Sequence, residues 1–168
     1  MQSTLPSPVR RTSATSRIVV PAFLVILASA CGDEGGEDQT PVASCDTETR
    51  AEPYVANLEK TGASGMKIVL VSSTPTPPSK GNNDWTIRVL DSSGNPLDGL
   101  TIDVLPFMPD HGHDSVIFPT IRPVTDSPGE YLLQPVRLWM PGYWEVTVSV
   151  DDQAGSTDSV KFKLCIEG

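Results

Sequence analysis

Trp85-Thr86-Ile87-Arg88-Val89-Leu90-Asp91-Ser92-Ser93-Gly94-Asn95-Pro96 decides the fold. Apolar and polar side chains alternate through residues 85–90. That period of two sets one face of an extended strand on a core and the other in water. The six residues that follow offer a glycine for positive φ and a proline that ends strand pairing. The pattern repeats outward in both directions. Residues 66–71 (MKIVLV), 101–107, 115–118, 129–133, 143–150 and 159–166 are further strand candidates. Asp151-Asp152-Gln153-Ala154-Gly155-Ser156 is the turn between the last two. Residues 74–83 (TPTPPSKGNN) form a proline-rich loop or edge that should resist pairing with other chains. Short strands at this spacing predict an all-β protein, an immunoglobulin-like antiparallel β-sandwich of about seven strands. Trp85, Phe107, Phe118, Tyr131 and Trp144 are the expected core aromatics.

Composition agrees with that class. The chain has 168 residues, room for one ordinary domain with appendages. Sixteen prolines, thirteen glycines and 20% charged residues suit a turn-rich β protein better than a helical one. The formal net charge is -9, and removing Arg10, Arg11 and Arg17 with the first thirty residues takes it to -12. That sign argues against nucleic acid and against docking on anionic lipid. It suits a body that gathers cations through its summed field.

The N-terminus reads as targeting. Arg10, Arg11 and Arg17 make a positive region, and residues 18–30 (IVVPAFLVILASA) an apolar run of thirteen. A bilayer-spanning helix needs about twenty residues, so the run is too short for one. It ends in Leu27-Ala28-Ser29-Ala30-Cys31, which resembles the lipobox of bacterial lipoproteins, with Ala28 where leucine is usual. The resemblance implies removal of residues 1–30 and acylation of Cys31, so that the protein meets its membrane through a lipid in the bacterial cell envelope. Residues 31–62 are then a tether and lead-in segment, and residues 63–168 the sandwich. The tether's start, Gly32-Asp33-Glu34-Gly35-Gly36-Glu37-Asp38, is acidic, glycine-rich and without a core-forming residue.

With Cys31 acylated, Cys45 and Cys165 are left as a pair. An exported protein meets an oxidising environment, so an even remainder predicts a disulfide. A thiolate metal pair is less consistent, because close C-x-x-C spacing is missing.

Both histidines of the chain fall in Met108-Pro109-Asp110-His111-Gly112-His113-Asp114. Imidazole and thioether suit copper, and carboxylate can complete a Cu(II) site; zinc fits less well with no thiolate near. Residues at i and i+2 on extended backbone face the same side, and Gly112 permits a tighter bend. Another methionine, Met140, sits in Leu138-Trp139-Met140-Pro141-Gly142-Tyr143-Trp144. The candidate metal ligands are Met108, His111, His113 and Met140, with Asp110 and Asp114 as additional or supporting groups. The same residues also describe a polar loop, with methionines as ordinary core fillers. Whether Met140 folds beside the histidines discriminates the two.

The run Met108-Pro109-Asp110-His111-Gly112-His113 and the turn Met140-Pro141-Gly142-Tyr143-Trp144 resemble the YtkA-like domain. Trp85 to Val89, Gly94-Asn95-Pro96-Leu97 and Gly129-Glu130-Tyr131 fall in the same order, so the resemblance spans about residues 66–150. That domain is akin to FixH-like proteins and shares its sandwich architecture with the CopC copper-resistance proteins. The resemblance implies copper handling or cytochrome oxidase assembly; His111 stands where the family commonly has an apolar residue. The leading expectation is a copper-binding lipoprotein, and the alternative a structural or protein-binding module without metal. No nucleophile elbow, paired glycosidase carboxylates or phosphate loop is present, so catalysis is not expected.

Overall fold

Alternation along the chain becomes two antiparallel sheets in the computed structural model, which describes residues 44–168 except Gln153. The expected export signal, Cys31 and the start of the expected tether lie outside the described residues. After a 3-10 turn at Cys45–Thr47 come nine strands: β1 (Leu58–Thr61), β2 (Lys67–Thr74), β3 (Gly81–Leu90), β4 (Thr101–Met108), β5 (His113–Asp114), β6 (Thr120–Pro123), β7 (Glu130–Leu138), β8 (Gly142–Asp151) and β9 (Thr157–Ile166). One sheet runs β1-β2-β3-β7-β6 and the other β5-β4-β8-β9. The all-β sandwich is as expected.

The inward faces follow the period of two. Trp85, Ile87 and Val89 of β3 and Trp144, Val146 and Val148 of β8 have no exposed surface. In β9, Val160, Phe162, Leu164 and Ile166 point inward, while Lys161 and Lys163 stand on the other face. Trp85 and Phe162 meet edge to face across the core, ring centres 6.0 Å apart, a geometry worth about 1 kcal/mol beyond the area it buries. The edge strand β9 is partly covered by the lead-in segment, whose Glu52 N–H donates to the Lys163 carbonyl (2.9 Å). Cys45 and Cys165 form the expected disulfide at that edge.

Three details differ from the sequence reading. The lead-in segment supplies β1, which pairs with β2 from Leu58↔Leu70 to Thr61↔Lys67. The proline-rich loop gives up Gly81, Asn82 and Asn83 to β3. The Asn83 side chain, fully buried, accepts from the Ser79 N–H and donates to the Ser79 carbonyl, tying the loop down from inside. Residues 115–118 are no strand, and Phe118 is 58% exposed rather than in the core. That stretch crosses from β5 in one sheet to β6 in the other, so beyond Ser115, whose N–H still reaches the Pro106 carbonyl of β4, its backbone joins neither ladder. Ser115 Oγ closes it locally, donating to the Ile117 carbonyl.

Candidate metal-binding end of the sandwich

The segment 108–114 gets its shape from two prolines and a glycine. Pro106 has no N–H to give an edge partner, and its carbonyl receives the Ser115 N–H (2.8 Å). Only Phe107↔Asp114 and Met108↔His113 pair beyond it, so β5 is two residues long. Between them, the His111 and Gly112 N–H groups both donate to the Met108 carbonyl (3.2 and 2.9 Å). Gly112 closes the turn at φ +65°, a conformation that a side chain disfavours. The chain reverses, and both imidazoles stand on the same tip.

Their ring centres are 5.7 Å apart, with the planes tilted by 59°. An imidazole nitrogen binds a first-row metal at about 2 Å, so two rings sharing an ion have centres no more than about 6 Å apart. The spacing fits. His113 Nδ1 lies 3.2 Å from the Asp114 carbonyl. A carbonyl only accepts, so this contact favours the tautomer with the proton on Nδ1. Fixing the tautomer by such a contact is how metal-binding histidines are generally oriented. Asp114 thus acts through its backbone.

The β7–β8 turn, residues 139–141, folds against this tip. Trp139 stacks on His113, ring centres 5.4 Å apart and planes 25° from parallel. Met140 follows it, half-buried against the core, and its carbonyl accepts the Trp144 indole N–H (2.9 Å). The β7–β8 turn therefore meets the histidine loop through Trp139, while Met140 packs against the core cluster. Met108 is the register partner of His113, so both side chains leave the same sheet face. It is 1% exposed and packed in the core cluster. Among the described residues, no group of three or more His, Cys, Asp or Glu side chains is gathered to hold a metal ion.

Asp110 faces another way. Its two oxygens accept from Nη1 and Nη2 of Arg50 at 2.6 and 2.7 Å. Arg50 also grips Glu48, through Nε (2.9 Å) and Nη2 (2.6 Å). The guanidinium lies over the Tyr143 ring, 4.2 Å from its centre. These bonds hold the Asp110 and Glu48 carboxyls below the usual range and keep Arg50 protonated. Burial, with a hydrogen bond to Glu145, pushes the Tyr143 phenol up to about 12. Sequence reasoning missed Arg50, which reaches Asp110 from sixty residues away. It also gave Trp139 no role, although an exposed tryptophan beside Met-Pro was a signal.

The sequence profile of the YtkA-like family matches residues 60–149. A search of curated proteins finds no match. Among solved structures, a copper-bound variant of FetP from uropathogenic Escherichia coli strain F11 is 14% identical, with a TM-score of 0.47, over 68% of this chain and 97% of that one. FetP of the same strain "as isolated", expressed in the E. coli periplasm, gives 15% identity and a TM-score of 0.46 over 68% and 96%. The ZirS C-terminal domain is 13% identical, TM-score 0.38, over 91% and 97%. At these scores nothing about this chain's own ligand follows from them.

Proposed function

The chain belongs to the YtkA-like family, and from that premise we propose that it is a lipid-anchored, extracytoplasmic copper-binding protein without catalytic activity. The copper would be held by the imidazoles of His111 and His113, with thioether from Met140 at the side and Met108 from the buried face. What carries this reading is the meeting of the two imidazoles, at metal-sharing distance, with the Trp139–Met140 turn. Softness of the thioether favours Cu(I), and the divalent series peaks at copper for imidazole. The Cys45–Cys165 disulfide supports an oxidising compartment.

Titration of the purified protein with Cu(I), Cu(II) and Zn(II) is the direct test. Copper should bind ahead of zinc, and His111→Ala with His113→Ala should abolish binding while the melting temperature stays put. Met140→Leu keeps the volume, removes the sulfur, and should weaken Cu(I) more than Cu(II). If neither copper ion binds the wild type tighter than about 10 μM, the reading is abandoned. The anchor is tested separately: Cys31→Ser should release the protein to the soluble fraction, and unchanged membrane association would sink that part.

A second reading has its own observation. Val116, Phe118 and Trp139 are 83%, 58% and 41% exposed on loops at this same end, which suits a module that docks on a protein. Copper binding lost in the histidine variant, with Val116→Ser and Phe118→Ser harmless to it, would favour the metal.

A further inference from the structure

β1 and β9 are end strands of their sheets and lie on the same side of the sandwich. An end strand carries backbone N–H and C=O groups that no neighbour takes, and an extended chain can add itself there. On β9, every second residue turns these groups away from β8. Two carboxylates meet them. Glu52 Oε1 accepts the Lys163 N–H at 3.0 Å, and the Glu52 N–H donates to the Lys163 carbonyl at 2.9 Å. Further back along the strand, Asp158 Oδ1 accepts the Ser159 N–H at 2.9 Å. Each carboxylate also crosses to the other sheet. Glu52 Oε2 pairs with Lys60 of β1, and Asp158 Oδ2 takes the N–H groups of Ser64 and Met66 in the turn after β1. Between the two stands Lys161, paired with Glu145 at 2.6 Å. A lysine on an end strand discourages strand addition without blocking its backbone.

The two carboxylates differ in what carries them. Asp158 belongs to β9, whereas Glu52 sits on the lead-in segment, whose start is tied to β9 by the Cys45–Cys165 disulfide. The Glu52 and Lys60 side chains are 22% and 29% exposed, so water competes weakly for their bonds. We infer that the lead-in segment is an edge guard: Glu52 closes β9 against strand addition, and its loss opens β9 to the same strand of a second copy. Ten residues of strict in-and-out alternation make β9 self-complementary. In an antiparallel pair about a two-fold axis, the Val160, Phe162 and Leu164 faces stay inward in both copies. The lysines face outward in both, which weakens the pair. Metal plays no part in it.

Sedimentation velocity and amide hydrogen exchange on four purified proteins test the guard: wild type, Glu52→Ala, Glu52→Gln, and Glu52→Ala with Lys161→Thr. The wild type should stay monomeric up to about 1 mM. In dilute solution Glu52→Ala should lose about tenfold protection at the Lys163 amide. It should dimerise with a Kd below about 1 mM, and the Lys161 amide should gain protection as concentration rises. Adding Lys161→Thr removes a like charge from the paired strands and should tighten the dimer about threefold. Glu52→Gln keeps an oxygen for the Lys163 N–H and should remain monomeric. A wild-type dimer, a Glu52→Ala protein monomeric to about 1 mM, or equal dimerisation in Glu52→Gln overturns the inference. So does a dimer that leaves the Lys161 amide unprotected or that Lys161→Thr fails to tighten, since its interface is then not β9.

Discussion

At the end of the sandwich built from the turns at 62–66, 91–96 and 151–157, aspartates close loops. Asp91 Oδ1 accepts the N–H groups of Ser93 and Asn95, both at 2.8 Å. Asp152 Oδ1 does the same for Ala154 and Ser156, both at 2.9 Å. Asp158, 8% exposed, takes N–H groups from Ser64, Met66 and Ser159 and the Ser64 hydroxyl. A Cβ on Gly62 would collide with that carboxylate, so the turn demands glycine. At the other end, Asp110 and Glu48 meet a guanidinium. Backbone amides cannot leave, so an aspartate that caps them serves stability alone. A partner on a long, half-exposed side chain can swing away, so a carboxylate that holds one is tied down less firmly. The two ends show one residue type tied to backbone amides in one place and to a long guanidinium side chain in the other.

That contrast can be broken. The largest effect expected is that of the disulfide, which acts on the whole chain. Closing a loop of sequence separation 120 stabilises by about 4 to 5 kcal/mol in the chain-entropy model. Cys45→Ser with Cys165→Ser should therefore lower the melting temperature by tens of degrees, and an unchanged transition by calorimetry would contradict it. Asp158→Ala comes next. It strands buried donors and should cost about 2 to 3 kcal/mol in denaturant unfolding, while copper affinity stays at the wild-type value. Coupled loss of both would mean that the ends are not separable as described.

The smallest effect is the pH dependence of the Arg50 clamp. Asp110 has a folded pKa below its ordinary value, because Arg50 donates to it. Its contribution is present above the ordinary carboxylate value of about 3.9 and is lost as pH falls through the lowered folded value. The melting-temperature gap between wild type and Asp110→Asn should be constant from neutrality to about pH 5 and shrink below about pH 4. A gap that widens on acidification would show that Asp110 is not held as a carboxylate.

Legibility differed between body and site. Residues 85–90 declared their strand because both faces of a pleated chain are written into alternation, and β8 and β9 did likewise. Residues 115–118 misled, since an apolar run with a serine and a phenylalanine satisfies the same template whether or not a ladder is available to join. The two-residue β5 was invisible for the converse reason, being made by the prolines around it and by the turn at Gly112.

The sequence by itself determined the sandwich, the pairing of Cys45 with Cys165 and the nearness of His111 to His113, because each follows from local period, compartment chemistry or adjacency in the chain. Tertiary structure decided that Trp139 stacks on His113, that Met108 turns inward, and that Arg50 holds Asp110. The Trp139 and Arg50 contacts join residues 26 and 60 positions apart in chain order. No propensity or spacing encodes them, since they arise only when two sheets close and bring their loops to one end.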